Sequence, residues 1–131
     1  MSTNIPQGLA YTEEHEWAKK EGDLVRVGVT HYAQEQLGDV VFVELPKVGA
    51  KVTAMKTFGV VESVKAVSDL FAPLSGEVVD VNTELTKKPE MVNSDPYGQG
   101  WMIVIRPSNP AEFDRLLNAD RYWEFVKSGG H

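Results

Sequence analysis

Phe58-Gly59-Val60-Val61-Glu62-Ser63-Val64-Lys65-Ala66-Val67-Ser68-Asp69 is the segment from which the fold can be predicted. It is rich in β-branched residues, which favour strands, and it contains one lysine that is followed by small residues. The pattern predicts a strand, a turn and a second strand. A lysine at such a turn projects into solvent from a backbone held by paired strands. That geometry suits the presentation of an attached group to other proteins.

The sequence before this segment predicts a hairpin followed by a short helix. Trp17–Lys20 and Leu24–Val29 are short apolar runs separated by Glu21-Gly22-Asp23, whose composition is typical of a turn. Thr30 can accept hydrogen bonds from the free amides of a helix over His31–Leu37. We expect Gly38 to end that helix in a left-handed conformation.

Further strands are predicted on both sides of the lysine. They are short and separated by turn residues, as is typical of an all-β sandwich or barrel. Prolines mark the points where pairing must stop, because proline lacks a backbone donor. The predicted strands cover Val40–Leu45, Phe58–Lys65, Gly76–Asn82 and Trp101–Arg106, and the prolines are Pro46, Pro73 and Pro107.

The C-terminal segment, about 109–128, changes from strand to helix signals. Asn109-Pro110-Ala111-Glu112 provides a cap, a proline at the first helical position and an acid, and Phe113, Leu116 and Leu117 form an apolar stripe. A second helix over Ala119–Lys127 buries one face through Tyr122, Phe125 and Val126, before Ser128-Gly129-Gly130 ends it. We expect both helices to lie against the sheet.

An internal echo suggests two similar β units. Leu37-Gly38-Asp39-Val40-Val41-Phe42-Val43 resembles Ser75-Gly76-Glu77-Val78-Val79-Asp80-Val81 at an offset of 38 positions. Such an echo predicts a pseudo-twofold arrangement, although short Gly-acid-Val-Val patterns also recur by chance at strand starts.

Composition predicts one folded domain over residues 1–131, with its core at about 17–106. Hydrophobic residues make up 42% and charged residues 24% of the 131 positions, which is ordinary globular usage. The net charge of −6 and the absence of a basic stripe argue against nucleic acid as a partner. No apolar run is long enough to cross a membrane. Met1–Ala10 resembles neither a secretory signal nor a transit peptide.

The chain shows little chemistry of its own. It has no cysteine, and its three histidines do not form a metal-ligand pattern. No glycine-rich phosphate loop is present. Glu13, Glu14 and Glu16 cluster near the start, but without further information an exposed acidic surface is the simpler interpretation. A single turn lysine among nine is likewise usually an unmodified surface residue.

Several motifs in order nevertheless resemble one family. Glu62-Ser63-Val64-Lys65-Ala66 resembles the lipoylation signature of the glycine cleavage system H protein family, within the lipoyl/biotinyl carrier superfamily. Biotin segments resemble Met-Lys-Met and other lipoyl domains Asp-Lys-Ala, and the sequence around Lys65 fits neither well. The resemblance extends over Tyr11–Trp17, Val27–Pro46, Ser75–Asn82 and Asn93–Met102. One departure is Thr53-Ala54-Met55-Lys56-Thr57, where relatives often carry a glycine-containing turn.

The resemblance implies a mostly β, lipoyl-domain-like flattened β-barrel or sandwich (a hybrid hammerhead) with a short helix after the first hairpin and C-terminal helices. It implies that Lys65 carries lipoic acid as N6-lipoyllysine, whose dithiolane supplies the sulfur chemistry. The chain would then be a non-catalytic swinging-arm carrier of glycine catabolism and one-carbon metabolism. It would shuttle the aminomethyl group of glycine from a pyridoxal-phosphate glycine decarboxylase (P protein) to a tetrahydrofolate-dependent aminomethyltransferase (T protein). A dihydrolipoamide dehydrogenase (L protein) would reoxidise it.

The resemblance also suggests roles for the neighbours of Lys65. We expect Glu62, Ser63, Val64 and Ala66 to contribute to recognition by the lipoate-attaching enzyme and the partners, because complementary charge sets encounter rate and orientation. The loaded arm ends in a cationic amine, for which carboxylates are natural partners. The hypothesis is that Glu14, Glu16 and Asp69 hold this amine in a surface cleft.

Three alternatives stay open at this point: a biotin or acyl carrier of another pathway, an interaction module without a cofactor, and an enzyme. Intact mass separates the carriers, and turnover by the isolated chain would reveal an enzyme. We expect a monomer in the bacterial cytoplasm, although a processed protein of the mitochondrial matrix would look similar.

Overall fold

Two antiparallel sheets form the framework of residues 5–129, the part of the chain that the computed structural model describes. In chain order the strands are β1 (Ala10–Tyr11), β2 (Glu16–Glu21), β3 (Leu24–Val29), β4 (Val40–Glu44), β5 (Lys51–Val52), β6 (Thr57–Ser63), β7 (Val67–Phe71), β8 (Gly76–Val81) and β9 (Ile103–Pro107). The larger sheet has the order β1-β2-β3-β9-β8-β5 and the smaller sheet the order β4-β6-β7. Neither closes on itself among these residues. The prediction of a mostly β fold is confirmed, as a flattened sandwich and not as a barrel.

The first hairpin forms as predicted. Glu21 pairs with Leu24 across the turn, and Gly22 between them has a φ of +66°. Such a backbone conformation costs glycine little, because glycine has no Cβ to collide with the preceding carbonyl. The turn therefore follows from the local sequence.

The short helix after this hairpin is also confirmed, as α1 (His31–Leu37). The Thr30 hydroxyl accepts a hydrogen bond from the amide of Ala33 at 3.2 Å. Gly38 ends the helix with φ +78° and ψ −160°. The positive φ was expected, but the ψ lies outside the left-handed helical region that we predicted. The chain instead extends at once toward β4, in a conformation that is essentially restricted to glycine.

Strand boundaries differ from the predictions by a few residues. The strand predicted over Phe58–Lys65 is β6 and ends at Ser63, because the next residues belong to a turn. The strand predicted over Trp101–Arg106 begins later, at Ile103. The larger sheet begins before position 17, with β1, and gains β5 at its other edge. Each of these two strands has two residues, too few to show the alternation on which a sequence prediction depends.

The turn that lacks the expected glycine keeps a glycine-like backbone. The amide of Lys56 donates to the carbonyl of Thr53 at 2.9 Å, and Met55 within this turn has a φ of +66°. For a residue with a Cβ this conformation costs about 1–2 kcal/mol. At the departure noted in the sequence, a methionine therefore adopts the conformation that a glycine would favour.

The C-terminal segment is only partly as predicted. Pro110–Arg115 is a 3-10 helix and not an α-helix, although Asn109 caps it by accepting a hydrogen bond from Ala111 N at 3.3 Å. It stops early because Leu117 leaves the helix to pair with Tyr11, through two backbone hydrogen bonds of 2.7 and 2.8 Å. The predicted stripe thus divides between two apolar clusters, with Leu117 apart from Phe113 and Leu116.

The last helix, α4 (Ala119–Lys127), has the predicted bounds. Tyr122 is fully buried, and Phe125 and Val126 are half-buried. Gly130, which was expected to help end this helix, lies outside the described residues. Two short helices were not predicted, α2 (Glu84–Lys87) and α3 (Met91–Ser94). No helix in residues 5–129 has the length and apolar character needed to span a membrane.

Two apolar clusters hold these elements together. The larger lies between the sheets and draws on both, including Val43 and Val61 of the smaller sheet and Val27, Val78 and Ile105 of the larger. The smaller cluster joins α4 to the start of the chain: the rings of Tyr11 and Tyr122 stack with centroids 4.7 Å apart, and buried Trp17 lies beside them. The α4 segment therefore packs against the larger sheet, as expected.

The internal echo extends to an irregularity in the strands. The pairing of β4 shifts register between Val40 and Phe42, and that of β8 shifts between Val78 and Asp80, which are the echoed positions 38 residues later. A bulge changes the local twist of a strand and is a specific feature of a sheet. The shared bulge supports similar β units, and their pseudo-twofold relation stays a prediction.

Gly28 provides a test of the packing around Trp17, its partner across β2 and β3. A Cβ at position 28 would lie 2.7 Å from three atoms of the Trp17 indole. We predict that Gly28→Ala lowers the free energy of unfolding by about 1–3 kcal/mol, because the buried ring has nowhere to move. Urea denaturation measures this change. In a double-mutant cycle, Trp17→Phe should recover part of the loss, and strictly additive effects would contradict the proposed clash.

Candidate functional site

Lys65 lies in a tight turn between β6 and β7, at residues 63–66. The amide of Ser63 donates to the carbonyl of Ala66 at 2.8 Å. The Ser63 hydroxyl accepts hydrogen bonds from the amides of Lys65 at 3.3 Å and Ala66 at 3.1 Å. A serine side chain that binds nearby amides in this way stabilises a turn locally. The backbone beneath the lysine is therefore held by several hydrogen bonds, although the turn itself is exposed.

The Lys65 side chain extends across a second segment of the chain. Its Cε lies 3.2 Å from the position that a Cβ on Gly38 would occupy. The lysine is exposed, and none of the ion pairs within residues 5–129 involves its amine. The stem is thus supported while the amine is accessible.

Beside this turn, the outward face of the smaller sheet carries both acidic and apolar side chains. Cross-strand rows place Phe42, Glu62 and Val67 side by side, and likewise Glu44, Val60 and Asp69. The row between them contains the buried Val43 and Val61 and faces the core. Phe42 is 46% exposed, Val67 68%, and Val64 in the turn 69%. Glu62 and Asp69 therefore share one face with exposed apolar side chains close to Lys65.

Glu16 connects the first hairpin to the strand that follows the turn. Its side chain is only 2% exposed, yet both carboxylate oxygens accept hydrogen bonds, from the Thr12 hydroxyl at 2.6 Å and from the amide of Phe71 at 3.1 Å. Burial raises the pKa of Glu16 from 4.5 to about 8, against the opposing effect of these two hydrogen bonds and with a small contribution from Glu14. Glu16 is therefore largely protonated at neutral pH.

The predicted site residues are brought together only in part. Glu62 to Ala66 and Asp69 lie on the β6–β7 hairpin, and Glu16 reaches that hairpin through Phe71. Glu14 is exposed in the turn after β1, and within the described residues its side chain makes no hydrogen bond to Asp69 or Lys65. No local sequence pattern indicates the contact between Glu16 and Phe71, because the two residues are 55 positions apart.

The C-terminal helix supports the turn that carries Glu14 and leads into Glu16, the first residue of β2. The Tyr122 hydroxyl lies 2.7 Å from His15 Nδ1 and 2.8 Å from the Thr30 hydroxyl. Burial raises the pKa of this tyrosine, so the phenol stays neutral. His15 has a φ of +73°, an uncommon conformation for a residue with a Cβ, and its ring also contacts Tyr32. The α4 segment thus links this turn to the start of α1.

Other features of the surface do not point to chemistry by the chain itself. A groove of about 380 Å³ runs beside Thr12 and Glu13, with Met55 and Leu116 on its walls, but it includes none of the turn residues 63–66. No cluster of three or more metal-ligating side chains occurs among residues 5–129.

A flattened β-sandwich with an accessible lysine at the tip of a hairpin is the arrangement that the resemblance to lipoyl- and biotinyl-type carrier proteins implies. Comparisons with known proteins agree. The sequence model of the family described as glycine cleavage H-protein matches residues 9–129. The crystal structure of a glycine cleavage system H protein from Mycobacterium marinum superposes with a TM-score of 0.86 at 44% identity, covering 95% of this chain and 99% of that one.

Curated relatives extend this similarity. A glycine cleavage system H protein of Geobacillus sp. strain WCH70 is 58% identical over 126 residues, which cover 96% of this chain and 99% of the relative. One from Neisseria meningitidis serogroup C is 58% identical over 123 residues, covering 93% and 96%. The chain belongs to the glycine cleavage H-protein family, which confirms the resemblance found in the sequence.

The buried carboxyl group of Glu16 predicts a specific pH dependence of stability. Between about pH 4.5 and about pH 8 the folded state binds more protons than the unfolded state, so the free energy of unfolding falls as pH rises through this window. The stability that Glu16 contributes is fully present below its unfolded pKa of 4.5 and is lost as pH rises through its folded pKa of about 8. We predict that Glu16→Gln removes this pH-dependent part of the free energy of unfolding, whose slope is at most about 1.4 kcal/mol per pH unit.

Urea denaturation of both proteins from about pH 5 to about pH 8.5 measures the effect as a difference of slopes. Glu13→Gln is the matched control, since Glu13 is exposed and takes no part in raising the pKa of Glu16. Parallel pH profiles for wild type and Glu16→Gln would show that burial does not perturb this group.

Proposed function

We propose that this chain carries lipoic acid on Lys65 as N6-lipoyllysine and acts as the mobile carrier of the glycine cleavage system. The observation that supports this most directly is the position of Lys65, exposed at a hydrogen-bonded hairpin tip in a chain of the H-protein family. An attaching enzyme must reach the lysine amine, and a narrow turn with a fixed backbone offers it at little conformational cost.

The residues around Lys65 fit such a group. The stem crosses Gly38, where a side chain would crowd it, and the described part of the chain offers the amine no ion-pair partner. An amide bond to lipoic acid would remove the positive charge without stranding a buried carboxylate. The chain has no cysteine, so thiol chemistry has to come from the attached group.

When bound, lipoic acid supplies a reducible disulfide and a sulfur that holds the aminomethyl group of glycine. The chain's own residues present and protect this group and take no catalytic part. The proposed partners are the pyridoxal-phosphate glycine decarboxylase, the tetrahydrofolate-dependent aminomethyltransferase and dihydrolipoamide dehydrogenase. Each must approach Lys65, so each must contact the exposed turn and the adjoining face of the smaller sheet.

Recognition by the lipoate-attaching enzyme is proposed for Glu62, Ser63, Val64 and Ala66. Glu62 lies on the outward face between the exposed Phe42 and Val67, where an acid beside apolar contacts can orient a protein partner. Ser63 acts indirectly, through the turn that it stabilises. Val64 and Ala66 flank the lysine and are exposed.

A cleft for the loaded arm is proposed at Glu14, Glu16 and Asp69. Asp69 lies four residues from Lys65, on the strand that follows the turn and on the same outward face as Glu62. Asp69 and Glu14 are exposed and can face the cationic amine. Glu16 is buried and bonded to Phe71, so its contribution is to hold the end of β7 in place.

A monomer in the bacterial cytoplasm is the state that we propose. The relatives compared above are bacterial, which favours the cytoplasm over a mitochondrial matrix.

The attachment site can be tested by mass. We predict that Lys65→Arg abolishes the mass gain of one lipoyl group when the protein is made with a lipoate-attaching enzyme, because arginine offers no acylable amine. Intact mass spectrometry measures the gain and also distinguishes lipoyl from biotinyl. Lys56→Arg is the matched control, because Lys56 is an exposed lysine in the turn at the other end of β6. This variant should be modified fully. Modification of Lys65→Arg, or a bare wild-type protein, would refute the assignment.

The cleft can be tested through the stability of the loaded arm. We predict that Asp69→Asn shortens the lifetime of the aminomethyl-loaded protein about two- to fivefold, as expected when an exposed ion pair of up to about 1 kcal/mol is lost. Release of formaldehyde or ammonia in the absence of tetrahydrofolate gives the rate. Asp80→Asn, an exposed aspartate on β8, serves as the control. Equal lifetimes for both variants and wild type would exclude Asp69 from the cleft.

A further inference from the structure

The loop between α1 and β4, residues 38–40, is held by one side chain from α3. Asn93 donates a hydrogen bond from Nδ2 to the carbonyl of Gly38 at 2.8 Å and accepts one at Oδ1 from the amide of Val40, also at 2.8 Å. Its Nδ2 lies 3.1 Å from Oε1 of Gln34, on the last turns of α1. A single amide side chain therefore satisfies both backbone groups that flank Asp39.

The same loop contacts the turn at residues 63–66, which we call the carrier turn, at two points. The carbonyl of Asp39 accepts a hydrogen bond from the amide of Val64 at 3.0 Å, one residue before the lysine. Gly38 provides the surface that the Lys65 stem crosses, with Cε 3.2 Å from the position of a Cβ. The orientation of the turn and the direction of the stem therefore both depend on where residues 38 and 39 lie.

The local sequence contributes one backbone hydrogen bond to this loop, from the amide of Gly38 to the carbonyl of Gln34 at 3.1 Å, and this bond does not act on the peptide groups that follow Gly38. Gly38 has a φ of +78°, and a glycine that is not restrained samples both signs of φ. The bonds from Asn93 act on the residues on either side of Asp39, and so they restrict the rotation that would turn its carbonyl away from Val64. Half-buried Asn93 itself lies within α3 (Met91–Ser94), which contacts α1.

We propose that Asn93 is a positioning residue for the lipoyl attachment site: through residues 38–40 it sets the orientation of the turn at 63–66 and the direction of the Lys65 stem. It is 28 positions from Lys65 in the chain and does not touch the group attached there. The functional consequence rests on the proposed function, because it concerns how well an attaching enzyme finds the lysine. The structural consequence does not, because it concerns the hydrogen bond between Asp39 and Val64.

Asn82 offers a matched control elsewhere in the fold. It is more buried than Asn93 and makes three hydrogen bonds to the backbone: Nδ2 donates to the carbonyls of Gln99 and Trp101 at 2.8 and 2.7 Å, and Oδ1 accepts from the amide of Glu84 at 3.2 Å. None of these groups belongs to the carrier turn. Asn82→Ala should therefore cost at least as much stability as Asn93→Ala, and only Asn93→Ala should affect Lys65.

The first measurement is amide hydrogen exchange by NMR under conditions where all variants are folded. We expect the Val64 amide to exchange about tenfold or more faster in Asn93→Ala than in wild type, as for the loss of one backbone restraint, and at the wild-type rate in Asn82→Ala. The Ala66 amide, bonded to Ser63 within the turn, is the internal reference and should change less. If Val64 is equally protected in both variants, the positioning role is wrong.

The second measurement is kcat/KM for lipoylation by a lipoate-attaching enzyme, at equal concentrations of folded protein. We expect Asn93→Ala to lower it about three- to tenfold and Asn82→Ala to leave it within about twofold of wild type. Equal losses in both variants would indicate general destabilisation and overturn the proposal. A wild-type protein that is never lipoylated would refute the proposed function, while the exchange measurement would still decide the structural part.

If Asn93→Ala does not give folded protein, Asn93→Asp takes its place. It keeps the acceptor for the Val40 amide and loses the donor to Gly38, so the same exchange and kinetic differences are expected relative to Asn82→Asp. Protection of Val64 and lipoylation kinetics that match the Asn82→Asp values would overturn the proposal equally.

Discussion

The antiparallel pairing of β6 with β7 is the constraint on which the rest of the site depends. It brings residues 63–66 into one tight turn, with Ser63 bonded to Ala66, and it leaves Lys65 at the tip. The same register sorts side chains between the two faces of the smaller sheet, with Val61 toward the core and Glu62 toward solvent. A shift of one residue would exchange those faces and bury the acids. The apolar core of the sandwich therefore determines which residues surround the lysine.

Two side chains from distant parts of the chain tie this hairpin to the larger structure through backbone atoms. Glu16 accepts from the amide of Phe71 at the far end of β7. Asn93 holds the loop whose Asp39 carbonyl accepts from Val64 in the turn. The hairpin is thus anchored at both ends while its outward face stays open. The cost of the Glu16 contact is visible in its raised pKa, since a buried carboxyl group loses hydration that two hydrogen bonds only partly replace.

This arrangement suits a protein that presents an attached group to separate enzymes, as proposed for this chain. A carrier gains from a lysine whose base is rigid and whose amine is accessible, and it needs no perturbed nucleophile at that position. Within residues 5–129, strongly raised pKa values are found at Glu16 and at buried tyrosines such as Tyr122, which form internal hydrogen bonds away from the lysine tip. Around the lysine, polar and apolar side chains remain exposed, as expected for the proposed binding of several partners in turn.

The sequence by itself determined the strand-rich class, the first hairpin, the Thr30 cap, the bounds of α4 and the place of Lys65 in a hairpin turn, because each depends on residues that are neighbours in the chain. β-branched runs, turn residues and caps act over a few positions, and the family motif around Lys65 is equally local. Only the tertiary structure decided that Leu117 pairs with Tyr11 and so limits the 3-10 helix, that Glu16 is buried against Phe71, and that Asn93 supports the carrier turn. These contacts join residues 50 or more positions apart, or act through an intermediate loop. Local sequence patterns do not indicate these contacts, because the free energy that selects them comes from packing the two sheets together.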